Sequence, residues 1–496
     1  MGVIKFRLTP PDLASRFTDL RKAYMTGLDR TPGRMSVELR PGMMICHRDF
    51  PESGRLHIPW QVEGFGTPIL GTATLAERDE PYDLAVELAR GKLNELRNQA
   101  ADWKQLGLRT PREFEEALHQ SQLAFAHAAT SQAEPESSAG WANRSLVAAH
   151  DAAARLMAAY TEQVLQSRLA YSSKLPTWLA CGIESNPRQA PWAPAVVETM
   201  NAARIACSWA RSALEQGQFR WEPFDAQLAW CRKRRLTPMA GPLLEFRPAA
   251  LPDWLWLWEG DYEAIVGLVV DLVRQTISRY RGKIPVWTVV HRAASWEILG
   301  LSEEEQVRLT AKALQVAREA DPKAQLVVEF DRPWSEWMGS SPFQLGPLHL
   351  ADELTRAELG LSGIGLEIAP GFSGTGSHMR DLLDFSRLLD LYALLNLPLH
   401  VSLVMPSSAE PDPLADDSTK VEVHQWPRPP DEASQAEWAA SWVALAVAKP
   451  YVRSVTWLQT SDAAPHVYPH GGLFRPDHTP KPLLDRLKAL RKDYLE

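Results

Sequence analysis

Cysteine is scarce in this sequence, and its four residues are Cys46, Cys181, Cys207 and Cys231. None belongs to a CxxC pair, and each lies in an apolar stretch typical of a strand or a helix. This spacing argues against a structural zinc site and against a disulfide framework. We predict four buried free thiols, which favours a reducing compartment.

Long apolar runs and an excess of positive charge are also missing. Residues 1–16 contain no stretch of signal-peptide length, and no later window reaches the length of a membrane span. We therefore expect a cytoplasmic protein with no membrane partner, although a different start codon or an unusual export route leaves secretion open. The net charge of -8, from 53 basic and 61 acidic residues, argues against nucleic acid as a partner.

The sequence offers no motif for a cofactor or a metal. Gly371-Phe-Ser-Gly-Thr-Gly376 is rich in glycine but lacks the lysine and the following Ser or Thr that grip phosphate and magnesium. His466, His470 and His478 share one loop, but their spacing fits no zinc pattern and no cysteine lies nearby. We expect no cofactor and no metal.

The 496 residues suit two or three domains. Residues 1–76 carry short strand patterns between Pro and Gly turns, which predict a small β-sandwich. Residues 77–174 form a helical connecting segment, with a capping box at Thr110-Pro-Arg-Glu113 and an exposed linker over residues 131–140. From residue 175 to residue 496, short apolar runs alternate with amphipathic helices.

This alternation contains eight strand units and no ninth, which favours a closed (β/α)8 barrel, the TIM barrel, over an open doubly wound sheet. The chemistry of such barrels lies where the strands end. The predicted strands are Trp178 to Glu184, Ala203 to Trp209, Thr237 to Glu245, Val286 to His291, Leu326 to Asp331, Gly363 to Ile368, Leu399 to Val404 and Ser454 to Thr460.

Six segments of this barrel form a series of motifs over about residues 176 to 496. They are Trp209 with Gly217-Gln-Phe219, Leu251-Pro-Asp-Trp-Leu255, Trp287-Thr-Val-Val-His-Arg-Ala293, Gly363-Ile-Gly-Leu-Glu367, Leu397-Pro-Leu-His-Val-Ser-Leu-Val404 and Thr456-Trp-Leu-Gln-Thr-Ser-Asp462. In order and spacing these segments resemble glycoside hydrolase family 10, the endo-1,4-beta-xylanase family. The resemblance implies a TIM barrel acting on a β-linked polysaccharide of the xylan type.

The departures from the family pattern bear on activity. The resemblance implies a general acid/base glutamate on strand four and a nucleophilic glutamate on strand seven, but these positions are Arg292 and Leu403. Arginine does not donate a proton near neutral pH, and leucine has no group that attacks a sugar. Most of the family's polar shell is also replaced, and the replacing residues are Arg204, Ile205, Ser208, Pro242 and Leu458.

Acidic residues remain at other predicted strand ends, and they allow two interpretations. Glu367 with Glu329 or Glu245 forms a relocated catalytic pair, because carboxylates at neighbouring strand ends converge. Alternatively these residues, together with Asp331, form ion pairs with Arg247, Arg292 or Arg332 that hold the rim together. Asp462 resembles a family position that supports the site rather than reacts.

The candidate carbohydrate-binding residues are Trp209, Trp254, Trp287, His291, Arg292 and Asp462. A strand-like course of Trp254-Leu-Trp-Leu-Trp258 puts three indole rings on one face, as a platform for sugar stacking. Arg292 with His291 suits a carboxylate, unless Arg292 pairs with Glu329 or Glu367. We further expect Arg292 and Leu403 to point into the carboxyl-terminal mouth of the barrel.

Three functions are compatible with these residues. The favoured one is a pseudoenzyme that binds or senses a β-linked oligo- or polysaccharide without hydrolysing it. The alternative is an O-glycosyl hydrolase with relocated carboxylates, so the sequence leaves open whether this is an enzyme. A third is a scaffold whose barrel supports protein-binding surfaces elsewhere.

Overall fold

The computed structural model describes residues 2–27, 30–49, 51–183, 187, 190–293, 295–339, 341 and 343–496. Glu184, the predicted end of the first barrel strand, lies outside this set. All four cysteines are free and buried, as the sequence predicts. Within the described residues, no helix is long and apolar enough to cross a membrane.

The amino-terminal part contains two four-stranded sheets, ordered β4-β5-β1-β8 and β3-β2-β6-β7. Residues alternate between buried and partly exposed along β1, so each sheet turns one face inward. Ile4 and Phe6 of the first sheet share an apolar cluster with Leu56 and Ile58 of the second. The strands are β1 (Gly2–Arg7), β2 (Tyr24–Thr26), β3 (Pro32–Gly33), β4 (Met35–Arg40), β5 (Met43–Arg48), β6 (Arg55–Pro59), β7 (Ile69–Gly71) and β8 (Tyr82–Asp83).

Four helices accompany these sheets: α1 (Leu13–Arg16), α2 (Leu84–Gln105), α3 (Arg112–Thr130) and α4 (Pro135–Leu169). The predicted linker over residues 131–140 is wrong beyond residue 134, because Pro135 fits the first turn of α4. The capping box predicted at Thr110 does not form either. Pro111 occupies the N-cap position, and the Thr110 hydroxyl donates to Glu115 instead.

The carboxyl-terminal part is a closed parallel barrel, so the predicted (β/α)8 fold is confirmed. Its third strand is split into β11 and β12, and β13 pairs with both pieces to close the ring. Pro242 lies at the split, where it has no N–H to continue the ladder. The strands are β9 (Trp178–Ile183), β10 (Ala202–Ile205), β11 (Thr237–Ala240), β12 (Leu244–Glu245), β13 (Val286–His291), β14 (Gln325–Phe330), β15 (Gly363–Ile368), β17 (Leu399–Leu403) and β19 (Val452–Trp457).

Helices follow the barrel strands and cover their outer face. A two-stranded ribbon, β16 (Phe372–Ser373) with β18 (Lys420–Val421), lies among the loops after strands six and seven. The segment Asp253–Trp258 is a 3-10 helix, so the predicted strand-like course of its tryptophans is wrong. The helices are α5 (Ala193–Thr199), α6 (Trp209–Ser212), α7 (Glu222–Lys233), α8 (Tyr262–Arg279), α9 (Glu303–Ala320), α10 (Pro347–Arg356), α11 (Leu382–Ala393), α12 (Glu432–Ala448) and α13 (Pro482–Tyr494).

The inside of the barrel changes character along its axis. Its amino-terminal end is filled by the small apolar cluster Ala180, Ala202, Met239, Val286 and Val327. One layer further toward the carboxyl-terminal end, the inward residues become charged. The polar side chains are therefore concentrated at the mouth, where the strands end.

Candidate ligand site at the barrel mouth

The strand register determines which side chains enter the mouth. Partners in a parallel pair share a face, and His291, Glu329 and Gly365 are in register on β13, β14 and β15. A Cβ atom on residue 365 would lie 2.7 Å from the Cβ of Glu329, so glycine leaves room for that glutamate. Glu367 is likewise in register with Ser402, which puts both on the inner face.

Glu329 is held by a two-pronged ion pair with Arg204. The Nη1 and Nη2 atoms of Arg204 donate to the two carboxylate oxygens at 2.9 and 2.5 Å, and the Ser402 hydroxyl donates to Oε1 at 2.5 Å. Burial by itself raises the pKa of Glu329, but Arg204, His291 and Ser402 outweigh it and lower the pKa to about 2. Glu329 is therefore an ionised, fully bonded carboxylate at neutral pH.

Arg292 enters the mouth from the end of β13 in a left-handed conformation, with φ of 64°. Its Nη2 donates to Oε1 of Glu367 at 2.8 Å, and the Tyr468 hydroxyl donates to the same oxygen at 2.7 Å. Its Nε lies 3.5 Å from Oε1 of Glu245. Burial alone lowers the pKa of Arg292, but Glu367, Tyr468, Asp331 and Glu245 raise it well above its ordinary value. Arg292 is thus a buried cation between two glutamates.

Glu245 also has a guanidinium partner from its own strand end. Arg247 Nε donates to Glu245 Oε1 at 2.7 Å. Burial raises the pKa of Glu245, but Arg247, His291 and Arg292 reverse this and lower it. The predicted alternative of rim ion pairs therefore describes the geometry around Glu245.

Asp331 lies beside this group rather than inside it. Its carboxylate accepts from Ser295, from the Trp296 ring nitrogen and from Arg332 at 2.8 to 3.1 Å. Burial raises the pKa of Asp331, but Arg332 and Arg292 lower it below its ordinary value. The Arg332 partner predicted from the sequence is present.

His291 lies at the centre of the three glutamates. Its Nε2 is 3.4 Å from Glu367 Oε2 and 4.0 Å from Glu329 Oε2, while its Nδ1 is 3.9 Å from Glu245 Oε1. The Nε2 atom is buried and makes no hydrogen bond to any residue that the structure describes. The sequence-predicted residues His291, Arg292, Glu245, Glu329 and Glu367 are thus brought together in one cluster.

A cavity of about 200 Å³, termed the mouth cavity, opens onto this cluster. Five positions at which the sequence departs from the family pattern line it: Arg204, Ser208, Pro242, Arg292 and Leu458. Its other lining residues include Trp209, Glu245, Arg247, His291, Glu367 and Tyr468. Five of the seven departures from the family pattern therefore border one space.

The three predicted tryptophans have different environments. Trp209 is buried and lines the mouth cavity. Trp254 packs edge-on against Trp209 at 5.8 Å, and its ring nitrogen donates to the Ala213 carbonyl, so it supports the wall from behind. Trp287 is fully buried and stacks parallel to Phe224 at 6.1 Å on the outer face of the barrel. The proposed binding role of Trp287 is therefore wrong, because its ring does not reach the mouth.

A register shift between Thr288 and Val290 explains why Trp287 and His291 lie on opposite faces. Simple alternation puts residues 287, 289 and 291 on one side of a strand. The shift inserts one residue into β13, which reverses the side from Val290 onward. His291 consequently faces inward while Trp287 faces the helices.

Two further expectations need correction. Leu403 is in register with Ile368 and Trp457 on the outward face, so it does not point into the mouth as predicted. Strand seven nevertheless supplies no carboxyl group in any register, since residues 399–405 read Leu-His-Val-Ser-Leu-Val-Met. Asp462 is buried and pairs with Lys481, and it accepts from the Gly472 N–H at 2.7 Å. It anchors a loop and does not line the mouth cavity.

Two of the histidines in the histidine-rich loop contact a single carboxylate, that of Asp412. His466 Nε2 lies 2.9 Å from Asp412 Oδ2, and the His470 backbone N–H donates to the same oxygen at 2.8 Å. In the described part of the chain, no group of three or more His, Cys, Asp or Glu residues is arranged to hold a metal ion. These contacts join the loops after strands seven and eight.

Sequence reasoning missed the importance of Tyr468 and of Arg204 as a partner for Glu329. Arginine in the apolar run Ala202–Ile205 was a usable signal, because a charged residue in a buried strand requires a partner. Tyr468 carries no such local signal. It lies 101 residues from Glu367 along the chain, and only the fold brings them together.

The fold and this cluster define a (β/α)8-barrel protein whose charged site lies at the carboxyl ends of the strands. The model for glycosyl hydrolase family 10 matches residues 199–333. A curated relative, endo-1,4-beta-xylanase B of Thermotoga neapolitana, is 24% identical over 198 residues, which cover 38% of this chain and 52% of that protein. The barrel is therefore similar to glycoside hydrolase family 10 over these residues, and the chain spans about half the length of the curated relative that it matches.

Solved structures of xylanases are also similar to this chain. Native xylanase 10B from Thermotoga maritima has a TM-score of 0.49 at 18% identity, covering 65% of this chain and 97% of that one. Xylanase 10B from Thermotoga petrophila RKU-1, solved in complex with xylobiose, has a TM-score of 0.49 at 17% identity, covering 66% and 96%.

Proposed function

We propose that this protein binds a β-linked oligo- or polysaccharide of the xylan type in the mouth cavity without hydrolysing it. The observation that carries the proposal is the pairing of the mouth glutamates with arginines beside a cavity that still presents unbonded N–H groups. Pairing with arginines makes the glutamates unsuited to catalysis of hydrolysis. The unbonded N–H groups can bind a ligand.

Retaining glycosidases need one protonated carboxyl group and one free carboxylate about 5 Å apart. Glu245 and Glu329 do not suit the acid role, because their arginine partners lower their pKa values. Glu367 Oε1 accepts from both Arg292 and Tyr468, so this oxygen is oriented as an acceptor. Arg292 also lies between Glu245 and Glu367, where a relocated pair would have to engage the sugar.

Recognition is supported by buried nitrogen atoms that make no hydrogen bond within the protein. Among the described residues, Nε and Nη1 of Arg292, Nε2 of His291 and Nε1 of Trp209 are buried without a hydrogen bond. All three residues line the mouth cavity. Buried donors without acceptors are costly, and sugar hydroxyl and ring oxygens supply acceptors. The Trp209 ring adds an apolar wall against which a sugar face can pack.

The test combines a hydrolysis assay with a binding assay on the purified full-length protein. We expect no turnover of xylan or aryl β-xylosides above a mock preparation, and measurable binding of β-1,4-xylo-oligosaccharides by calorimetry. Ser208→Tyr fills the mouth cavity and should weaken binding at least tenfold, or about 1.4 kcal/mol. Ser212→Tyr is the matched control, because Ser212 lies one helical turn on and does not line the cavity.

Two results would contradict the proposal in different ways. Turnover of about 1 per second or more that is lost in Glu367→Gln would establish a relocated catalytic site. Equal affinity of the wild type, Ser208→Tyr and Ser212→Tyr would show that the ligand binds outside the mouth cavity.

A further inference from the structure

The mouth of this barrel is crossed by an ion pair between opposite rims. Arg247 follows strand three, and its Nη1 lies 3.5 Å from Oδ2 of Asp416. Asp416 belongs to the strand-seven loop, defined as residues 404–431 between β17 and α12. In the ring of eight strands, strands three and seven are four places apart in both directions. The ion pair therefore spans the mouth rather than its edge.

The strand-seven loop is fixed on both sides. Its β18 pairs with β16 in the loop after strand six, through Phe372 with Val421 and Ser373 with Lys420. Asp412 is held by His466 and by the His470 backbone in the loop after strand eight. The backbone N–H of Asp416 also donates to the His466 carbonyl at 2.9 Å. The strand-seven loop is thus held in place by the loops after strands six and eight.

Apolar side chains from the segments after strands six, seven and eight pack together beside the mouth cavity. Ala369, Phe372, Val404 and Tyr468 form a buried cluster, termed the apolar plug. Of the described residues, those that line the mouth cavity come from strands one to four, six and eight and their loops, and none from strand five or seven. The open space consequently lies mainly beside strands one to four and eight, and strand six contributes Glu367 alone.

We propose that the mouth cavity is a blind subsite that takes a single sugar ring, either a monosaccharide or one end of a chain, and excludes internal stretches of a polysaccharide. This inference rests on the proposed function. A cavity of about 200 Å³ is below the range of roughly 300–1,000 Å³ for pockets that hold larger ligands. A chain that continued in both directions would have to displace the apolar plug or separate Arg247 from Asp416.

A calorimetric series with β-1,4-xylo-oligosaccharides of two to six units tests this inference. We expect the affinity to change less than about threefold across the series. Binding to soluble xylan should follow the number of chain ends, so that shortening the polymer raises the number of sites per gram. An affinity that rises tenfold or more with length would overturn the blind subsite while leaving the proposed function intact. Absence of binding at every length would overturn both.

Asp416→Ala tests whether the ion pair is part of the barrier. Removing it should raise the ratio of hexasaccharide to disaccharide affinity above the wild-type value. Asp417→Ala is the control, since Asp417 is the exposed neighbour in the same loop. An unchanged ratio in Asp416→Ala would overturn the role assigned to the ion pair.

Discussion

At the scale of single residues, the site consists of buried charges that reach each other across the barrel. Arg204 of strand two and Glu329 of strand five are both buried and meet inside the ring. An intact pair of this kind contributes little to the free energy of unfolding. Removing one partner is strongly destabilising, because it leaves an uncompensated buried charge. The pair is therefore better evidence for a fixed site geometry than for a large gain in stability.

The Arg204–Glu329 pair gives a prediction about stability and pH. Glu329 has an ordinary pKa of 4.5 and a folded-state pKa of about 2, so its ionisation favours the folded state. This contribution is complete above about pH 4.5 and is lost as the pH falls toward about 2. Arg204→Met should destabilise the protein at pH 7 by about 3–5 kcal/mol, measured by urea unfolding.

The double variant Arg204→Met/Glu329→Gln serves as the control. It removes both charges, so it should recover most of the lost stability and show a shallower loss of stability between pH 4.5 and 2. If the double variant is as unstable as Arg204→Met, the destabilisation comes from lost packing rather than from the unpaired carboxylate.

At the scale of elements, helix α2 and strand β7 of the amino-terminal part approach each other closely. Gly91 lies in the middle of α2, and a Cβ atom there would be 2.0 Å from the Gly71 carbonyl oxygen. Glycine is a poor helix former, so its presence here follows from the contact between the two backbones. This contact determines the distance between helix α2 and the sheet that contains β7.

Gly91→Ala should consequently destabilise the protein by about 1–3 kcal/mol, because α2 must move away from β7. Gly140→Ala is the matched control, since Gly140 is also helical but its Cβ would meet nothing within 4 Å. It should stabilise the protein by about 0.5–1 kcal/mol. Equal effects of the two substitutions in thermal unfolding would show that helix propensity, and not the contact, governs residue 91.

At the scale of the whole molecule, ion pairs join the amino-terminal sheets, the helical segment and the barrel. Glu95 of α2 accepts from Arg55 of β6 at 2.5 Å and lies 2.9 Å from Arg387 of α11. Lys92 of α2 pairs with Asp381, the N-cap residue of α11. The amino-terminal residues are therefore bonded to the barrel through mostly buried groups.

We expect the protein to unfold in one cooperative transition as a result. Glu95→Gln leaves two arginines without their partner and should lower the unfolding free energy by about 3 kcal/mol. Differential scanning calorimetry should show a single peak that shifts as a whole. The control Glu437→Gln removes an exposed pair with Arg428 and should change stability by less than about 0.5 kcal/mol. Two resolved peaks, of which only one shifts, would refute this coupling.

The sequence by itself determined the barrel, its eight strands and the absence of a carboxyl group from the end of strand four and from strand seven. These are local properties, because strand periodicity and residue identity are visible without knowing any partner. The tertiary structure alone decided which side of each strand faces the mouth. Trp287 and Leu403 were misplaced because a register shift in β13 and the pairing of β17 set the inward face. Arg204 with Glu329, Tyr468 with Glu367 and Arg247 with Asp416 are 101 to 169 residues apart along the chain, so only the closed barrel brings their charges and hydroxyls within bonding distance.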